Sequence, residues 1–177
     1  MDQKTAKKII DDSRAAGKND QQIYNELSGH YENKKNLALL ITGTAPVKTR
    51  NQYKLYNNVL IGLLAVTFVF RLIGAFSLVG EGEVLGFVVS LVGIFLPALF
   101  IYGFINYMGP MYRLCGILTV LGIVQVAARW NNDLLIVIDL IILVSMAVLS
   151  FYLGSKMFPN FNPGKLRKDE NGGYLLN

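Results

Sequence analysis

Residues 57–79 read NNVLIGLLAVTFVFRLIGAFSLV, an apolar run interrupted by one charge, Arg71. A helix rises 1.5 Å per residue, so a run of this length is enough to cross a hydrocarbon core of about 30 Å. Comparable runs follow at Val84–Tyr107, Met111–Arg129 and Leu134–Gly154. Four membrane spans are therefore expected. The composition agrees: 53% of the 177 residues are hydrophobic, and they are blocked rather than spread at helical or strand periodicity.

The spaces between the runs are short: Gly80–Glu83, Gly109-Pro110 and Trp130–Asp133. Connections of this length force consecutive helices to lie antiparallel and adjacent. The expected fold is an all-α integral membrane protein, an antiparallel up-and-down four-helix bundle over residues 51–156. Residues 1–50 are expected to form a small helical lobe, and residues 157–177 a tail.

Charge sets the orientation. Ten Lys and Arg precede the first span, Arg113 lies between spans two and three, and Lys156, Lys165, Arg167 and Lys168 follow span four. Only Arg129 falls on the other side, where the first loop, Gly80-Glu81-Gly82-Glu83, is acidic. The positive-inside rule then places both termini in the cytoplasm of a cell (inner) membrane. The start of the chain, MDQKTAKKIIDDSR, has no apolar run resembling a secretory signal, so the first span is expected to direct insertion itself. Lys48, Arg50 and Lys54 are expected to face anionic lipid. Tyr53, Tyr56, Tyr107, Tyr112 and Tyr152 near the inner boundary, with Trp130 at the outer one, read as aromatic belts.

Within the lobe, Asn19 and Gln22 have the spacing of a capping box opening a helix over Asp20–Leu27, after a first helix broken at Gly17. A third helix from about Tyr31 carries Leu37, Leu40 and Ile41, and Pro46 either ends it or opens a linker to span one. Ile23, Tyr24 and Leu27 of the second helix, with Phe158 and Phe161 of the tail, are the candidate residues for docking a partner. The tail is expected to fold back through Phe158, Phe161, Tyr174, Leu175 and Leu176.

The spans contain one pair of opposite charges. Arg71 lies about 12 Å from the outer end of span one, and Asp139 about 7.5 Å past the outer start of span four. An isolated charge at such depth costs roughly 2.5–3.5 kcal/mol on insertion scales. An Arg71–Asp139 ion pair facing the bundle interior is expected, with Thr67 and Gln125 completing its hydrogen bonds. Such a pair serves either as a clamp fixing helix register or as the floor of a polar cavity. Small residues at Gly86, Ser90 and Gly93, and at Gly116, Thr119 and Gly122, mark faces for close helix packing.

Chemistry-bearing motifs are lacking. The sequence has no HExxH, GxSxG or P-loop, and His30 is its only histidine. A non-catalytic protein without cofactor or metal is expected. Asp11, Asp12, Asp20, Glu26 and Glu32 dilute the basic residues of the lobe, which argues against nucleic acid as a partner. The function expected is that of a small multi-pass membrane subunit or adaptor, with the bilayer and a protein, or a second copy, as partners. The alternative is a homo-oligomeric channel or pore, or a small-solute transporter working as a dimer.

Overall fold

Local capping sets the first boundaries in the computed structural model, which describes residues 3–31, 33–80, 84–128, 134–161, 166–168 and 173–176. Helix α1 spans Gln3–Ala15 and stops before Gly17, whose φ of +85° is a left-handed value that favours glycine. Helix α2, Asp20–Leu27, opens with the expected capping box: Gln22 N–H donates to Asn19 Oδ1 at 2.8 Å, and Asn19 N–H donates to Gln22 Oε1 at 3.0 Å. A 3₁₀ turn, Ser28–His30, leads to α3, Lys34–Thr42, which is capped by the Asn33 side chain. Ile10, Ile23, Tyr24 and Leu27 close over Leu37, Ala38 and Ile41 to form one small core.

Arg14 ties these helices together. Its guanidinium donates to Asp20 Oδ1, to the Ile41 carbonyl at 2.9 Å and to the Thr44 carbonyl at 2.6 Å. Carbonyls at a helix C-terminus have no partner within the helix, and a cation there also meets the negative end of the helix dipole.

Pro46 opens no linker. Helix α4 begins at the next residue and runs unbroken over Val47–Gly80, 34 residues and about 50 Å. The first residues of α4 thus extend the lobe side of the first apolar run, because proline fits just ahead of, or in, a first helical turn. Helices α5, Val84–Ile105, α6, Gly109–Ala127, and α7, Leu134–Met157, complete the helical elements. Gly109-Pro110 starts α6 with its proline in the first turn, as expected.

Three of these helices are long and apolar enough to cross a membrane: Val47–Phe76, Gly109–Ala127 and Leu134–Met157. In α5 the backbone is helical throughout, and the described apolar stretch is Gly93–Ile105. The loops at 81–83 and 129–133, with Trp130, and the packing of Gly86 and Ser90 lie outside what the structure describes.

Helix α4 packs on α5 and α7, and α6 packs chiefly on α7. The shared core includes Leu60, Leu64, Phe100, Phe104, Tyr112, Cys115, Met146 and Leu153. Small residues admit close approach on α6: the Phe151 ring lies over Gly116, and Leu143 lies near Gly122. Facing outward are Val66, Phe70, Ile73, Phe95, Leu99, Ile117, Val124, Ile141 and Val148. So much large apolar side-chain surface suits lipid rather than water. The remaining elements are two two-residue strands, β1 Arg167–Lys168 and β2 Tyr174–Leu175, paired antiparallel.

Replacing Arg14 by Met keeps the aliphatic stem and removes the guanidinium. Loss of charge-assisted bonds to two carbonyls and one carboxylate is expected to destabilise by about 2–3 kcal/mol. The check is the apparent Tm of the purified variant in detergent; an unchanged value would mean that water replaces Arg14 at the end of α3.

Candidate functional site

Two glycines make the joint between the N-terminal helices and the long ones. Gly109 N–H donates to the Gly43 carbonyl at 3.1 Å, and the neighbouring Thr44 and Met108 form an isolated antiparallel bridge. A β-carbon at Gly43 would stand 2.7 Å from the Leu39 carbonyl oxygen, and one at Gly109 would stand 2.9 Å from the Phe158 ring. Neither position has room for a side chain.

Under this joint lies a buried polar contact. Tyr112 Oη donates to Asn57 Oδ1 at 2.6 Å, and Asn57 Nδ2 donates to the Phe104 carbonyl at 3.2 Å. Asn57 and Tyr112 are 1% and 0% exposed, so the contact is sealed from solvent and lipid. It links α4, α5 and α6 at one level. Tyr112 is therefore not part of an aromatic belt: its ring lies against Phe104 and Phe158, at 4.4 and 5.3 Å between centroids. Tyr53, Tyr56 and Tyr152 do form one aromatic group on α4 and α7.

Arg50 also departs from its expected place. Lys48 and Lys54 are exposed, but Arg50 turns inward to Asp11 Oδ1 at 2.9 Å and to the Ala45 carbonyl at 2.7 Å, with its guanidinium over the Tyr107 ring. The nearby acidic and carbonyl oxygens satisfy its fixed fork of donors better than a lipid surface could. Lys7, half-buried, is close enough to Arg50 to feel its charge. Burial, and secondarily Arg50, hold the Lys7 ammonium below the usual lysine range, with Asp11 opposing them. Beside Lys7 opens a cavity of about 480 Å³, lined by Tyr31, Asn36, Leu39, Leu40, Gly43, Met108, Pro110 and Met111.

The tail covers the second helix. Gln21 Nε2 donates to the Tyr174 carbonyl at 3.2 Å, and Leu176 N–H donates to Gln21 Oε1 at 2.8 Å. Tyr174 N–H donates to the Tyr24 hydroxyl, and the two rings meet edge-on. Leu176 is buried with Ile23, Tyr24 and Leu27. Phe158 and Phe161 are buried against the long helices, with Arg113 over the Phe161 ring. The five residues expected to present a docking face are thus interior: the tail and third helix cover Ile23, Tyr24 and Leu27, and the long helices cover Phe158 and Phe161. Exposed on an isolated helix, such apolar residues would leave a core half-built, so the chain covers them itself.

Arg71 and Asp139 form no ion pair. The ion pairs among the described residues are Arg14–Asp20, Lys18–Glu26 and Arg50–Asp11. Both residues are exposed rather than turned into the bundle. Thr67 Oγ1 contacts Met146 Sδ at 3.7 Å, which fixes where α4 meets α7. Arg71 is one turn, about 6 Å, from that contact, while Asp139 is about 10 Å from it along α7 and is exposed. Arg71 instead lies across Gly93 of α5, with Nη1 2.9 Å from where a β-carbon would stand. It borders a cavity of about 80 Å³ whose polar lining includes Thr67, Cys115 and Thr119. Gln125 is exposed on α6 and takes no part. The Ser150 hydroxyl on α7 is buried without a hydrogen-bond partner among the described residues.

Comparison with protein families, with curated proteins and with solved structures found no match to this chain.

Sequence reading missed Asn57, Tyr112, Gln21 and Lys7. Asn57 carried a usable signal, as a carboxamide at the very start of an apolar run, where a polar side chain needs a partner inside the protein. The other three depend on partners far away in the chain and had none.

Two expectations follow. Tyr112→Phe should cost about 1 kcal/mol, and Asn57→Leu more, since it strands the Tyr112 hydroxyl and removes one of two bonds to the Phe104 carbonyl, which keeps the Tyr107 N–H. A double-mutant cycle in detergent checks this, and zero coupling would remove the contact's importance. Arg71→Leu and Asp139→Leu, in contrast, should be additive within about 0.5 kcal/mol; strong coupling would restore the ion pair.

Proposed function

We propose that the protein is a non-catalytic membrane subunit or adaptor. Its four long helices cross the membrane as an antiparallel bundle, and α1–α3 form a cytoplasmic lobe that docks a partner. Both termini lie in the cytoplasm, following the charge asymmetry of the sequence. One observation carries the docking reading: Gln21 bonds the tail backbone in both directions, to the Tyr174 carbonyl and the Leu176 amide. A side-chain amide used in this way recognises an extended strand by its main chain, while the pocket over Ile23, Tyr24 and Leu27 takes its leucine. The lobe therefore carries a groove for a short extended peptide, held in this chain by its own Tyr174-Leu175-Leu176. A partner docks by supplying an equivalent segment, or by taking the released tail.

The test uses the chain truncated after Lys168 and a labelled peptide of the sequence ENGGYLLN, residues 170–177. The peptide is expected to bind the truncated protein and not the full chain. Gln21→Ala should weaken binding about tenfold or more, since two backbone bonds are lost. No binding to the truncated protein sinks the groove. A stoichiometric second protein in particles purified gently from the native membrane would support the adaptor, whereas a ring of identical chains would support the alternative.

That alternative, an oligomeric channel, pore or dimeric transporter, has its own observation. Gln125 near the end of α6 and Asp139 near the start of α7 are both exposed on helices read as spans. Polar groups facing lipid are costly, and a second copy would cover them.

A further inference from the structure

The cavity beside Lys7 has the attributes of a binding site rather than of a packing defect. It lies between α1, α3 and the turn joining α5 to α6, where the long helices end. Its walls are chemically divided. Leu39, Leu40, Met108, Pro110 and Met111 supply an apolar side, and Lys7, Tyr31 and Asn36 a polar one. At about 480 Å³ it falls within the range of pockets that hold small molecules, about 300–1,000 Å³.

The charge is unbalanced in one direction. Among the described residues Lys7 and Arg50 share one carboxylate, Asp11, and Arg50 takes it at 2.9 Å. The Lys7 ammonium has no hydrogen bond or ion pair among the described residues. The first turn of α6, at Pro110 and Met111, also forms part of the wall. With the Gly109 and Met111 amides bonded to the Gly43 and Met108 carbonyls and Pro110 lacking an N–H, it contributes the helix dipole and an apolar surface, and Lys7 remains the donor for an anion. An anion is the complement of this arrangement. The apolar half calls for an anion that carries a hydrocarbon part.

We propose that this cavity holds the head group of an anionic phospholipid, with its phosphate at Lys7 and Asn36 and its glycerol and upper acyl chain along Met108, Pro110 and Met111. The proposal rests on the reading that α4–α7 span the membrane, which brings the ends of α5 and α6 to the head-group level. It is independent of the peptide groove. The bound lipid joins the lobe to the turn between α5 and α6, beside Gly43.

The test compares full-length protein in nanodiscs of dioleoylphosphatidylglycerol or dioleoylphosphatidylcholine, with retained lipid counted by native mass spectrometry. The wild type is expected to retain one phosphatidylglycerol in preference to phosphatidylcholine. Lys7→Gln should weaken that retention about fivefold. Lys8→Gln, which removes an exposed charge one residue away, should leave it unchanged. Asn36→Asp conserves shape, places a carboxylate against the phosphate and should weaken retention as well, so the site stays testable should Lys7→Gln fold poorly. Equal retention by wild type and both pocket variants overturns the proposal. Displacement of the lipid by equimolar glycerol phosphate or inorganic phosphate also overturns it, and makes the site one for a soluble anion. Extraction of the same membranes with alkaline carbonate separates the two readings. Protein that stays in the pellet without lipid preference sinks the pocket alone, and protein released to the supernatant sinks the spanning reading with it.

Discussion

The hydrogen bond from Gly109 N–H to the Gly43 carbonyl is the contact on which the other arrangements depend. It fastens the end of α3 to the turn between α5 and α6, and a β-carbon at Gly109 would stand only 3.1 Å from the Gly43 carbonyl oxygen and 2.9 Å from the Phe158 ring. With that distance set, Phe158 can pack over Gly109 and Phe161 beside Gly43, which returns the chain after α7 to the joint. The Asn57–Tyr112 contact lies one layer deeper and fixes the heights of α4, α5 and α6 against each other. Arg14 and Arg50 finish the joint from the lobe, each bonding to main-chain carbonyls at the α3–α4 corner. A shift of α4 by one residue would break the Asn57–Tyr112 contact and pull Arg50 away from Asp11 and the Ala45 carbonyl.

Helices facing lipid gain little from burying apolar surface against each other, because acyl chains are as apolar as leucine. Their relative positions must come from close packing and from polar contacts. Here the packing is at Gly116 under Phe151 and the polar contact is at Asn57. Both are local, and the polar one is the more exacting, since an unpaired carboxamide at that position has no solvent to turn to. This is why two such ordinary residues, rather than the conspicuous charges, hold the register.

The sequence made some elements legible and hid others for a physical reason. The capping box of α2, the break at Gly17, the start of α6 at Gly109-Pro110 and the long apolar helices were all readable, because each depends on residues a few positions apart. Asn57 with Tyr112, Gln21 with Tyr174 and Arg14 with Thr44 were not readable, because their partners are 55, 153 and 30 residues away. The charge count put Arg50 at a lipid surface, but charge alone says nothing about which carbonyl lies nearby. The same holds for Ile23, Tyr24 and Leu27. Their spacing marked an apolar face correctly, and only the fold reveals that the tail occupies it.

The distribution of satisfied and unsatisfied polar groups separates structure from opportunity. Asn57, Tyr112, Arg14 and Arg50 have their partners within the chain, and their energies are committed to the fold. Lys7 at its cavity and the exposed Arg71, Asp139 and Gln125 have none that compares among the described residues. Desolvating a charge without a partner is unfavourable, so each of these groups costs least when something outside the chain completes it. A phosphate at Lys7 and a neighbouring copy at Gln125 and Asp139 would each supply such a partner. Lipid proposed at the lobe and an oligomer contact proposed on α6 and α7 would fall on different residues, so neither proposal excludes the other.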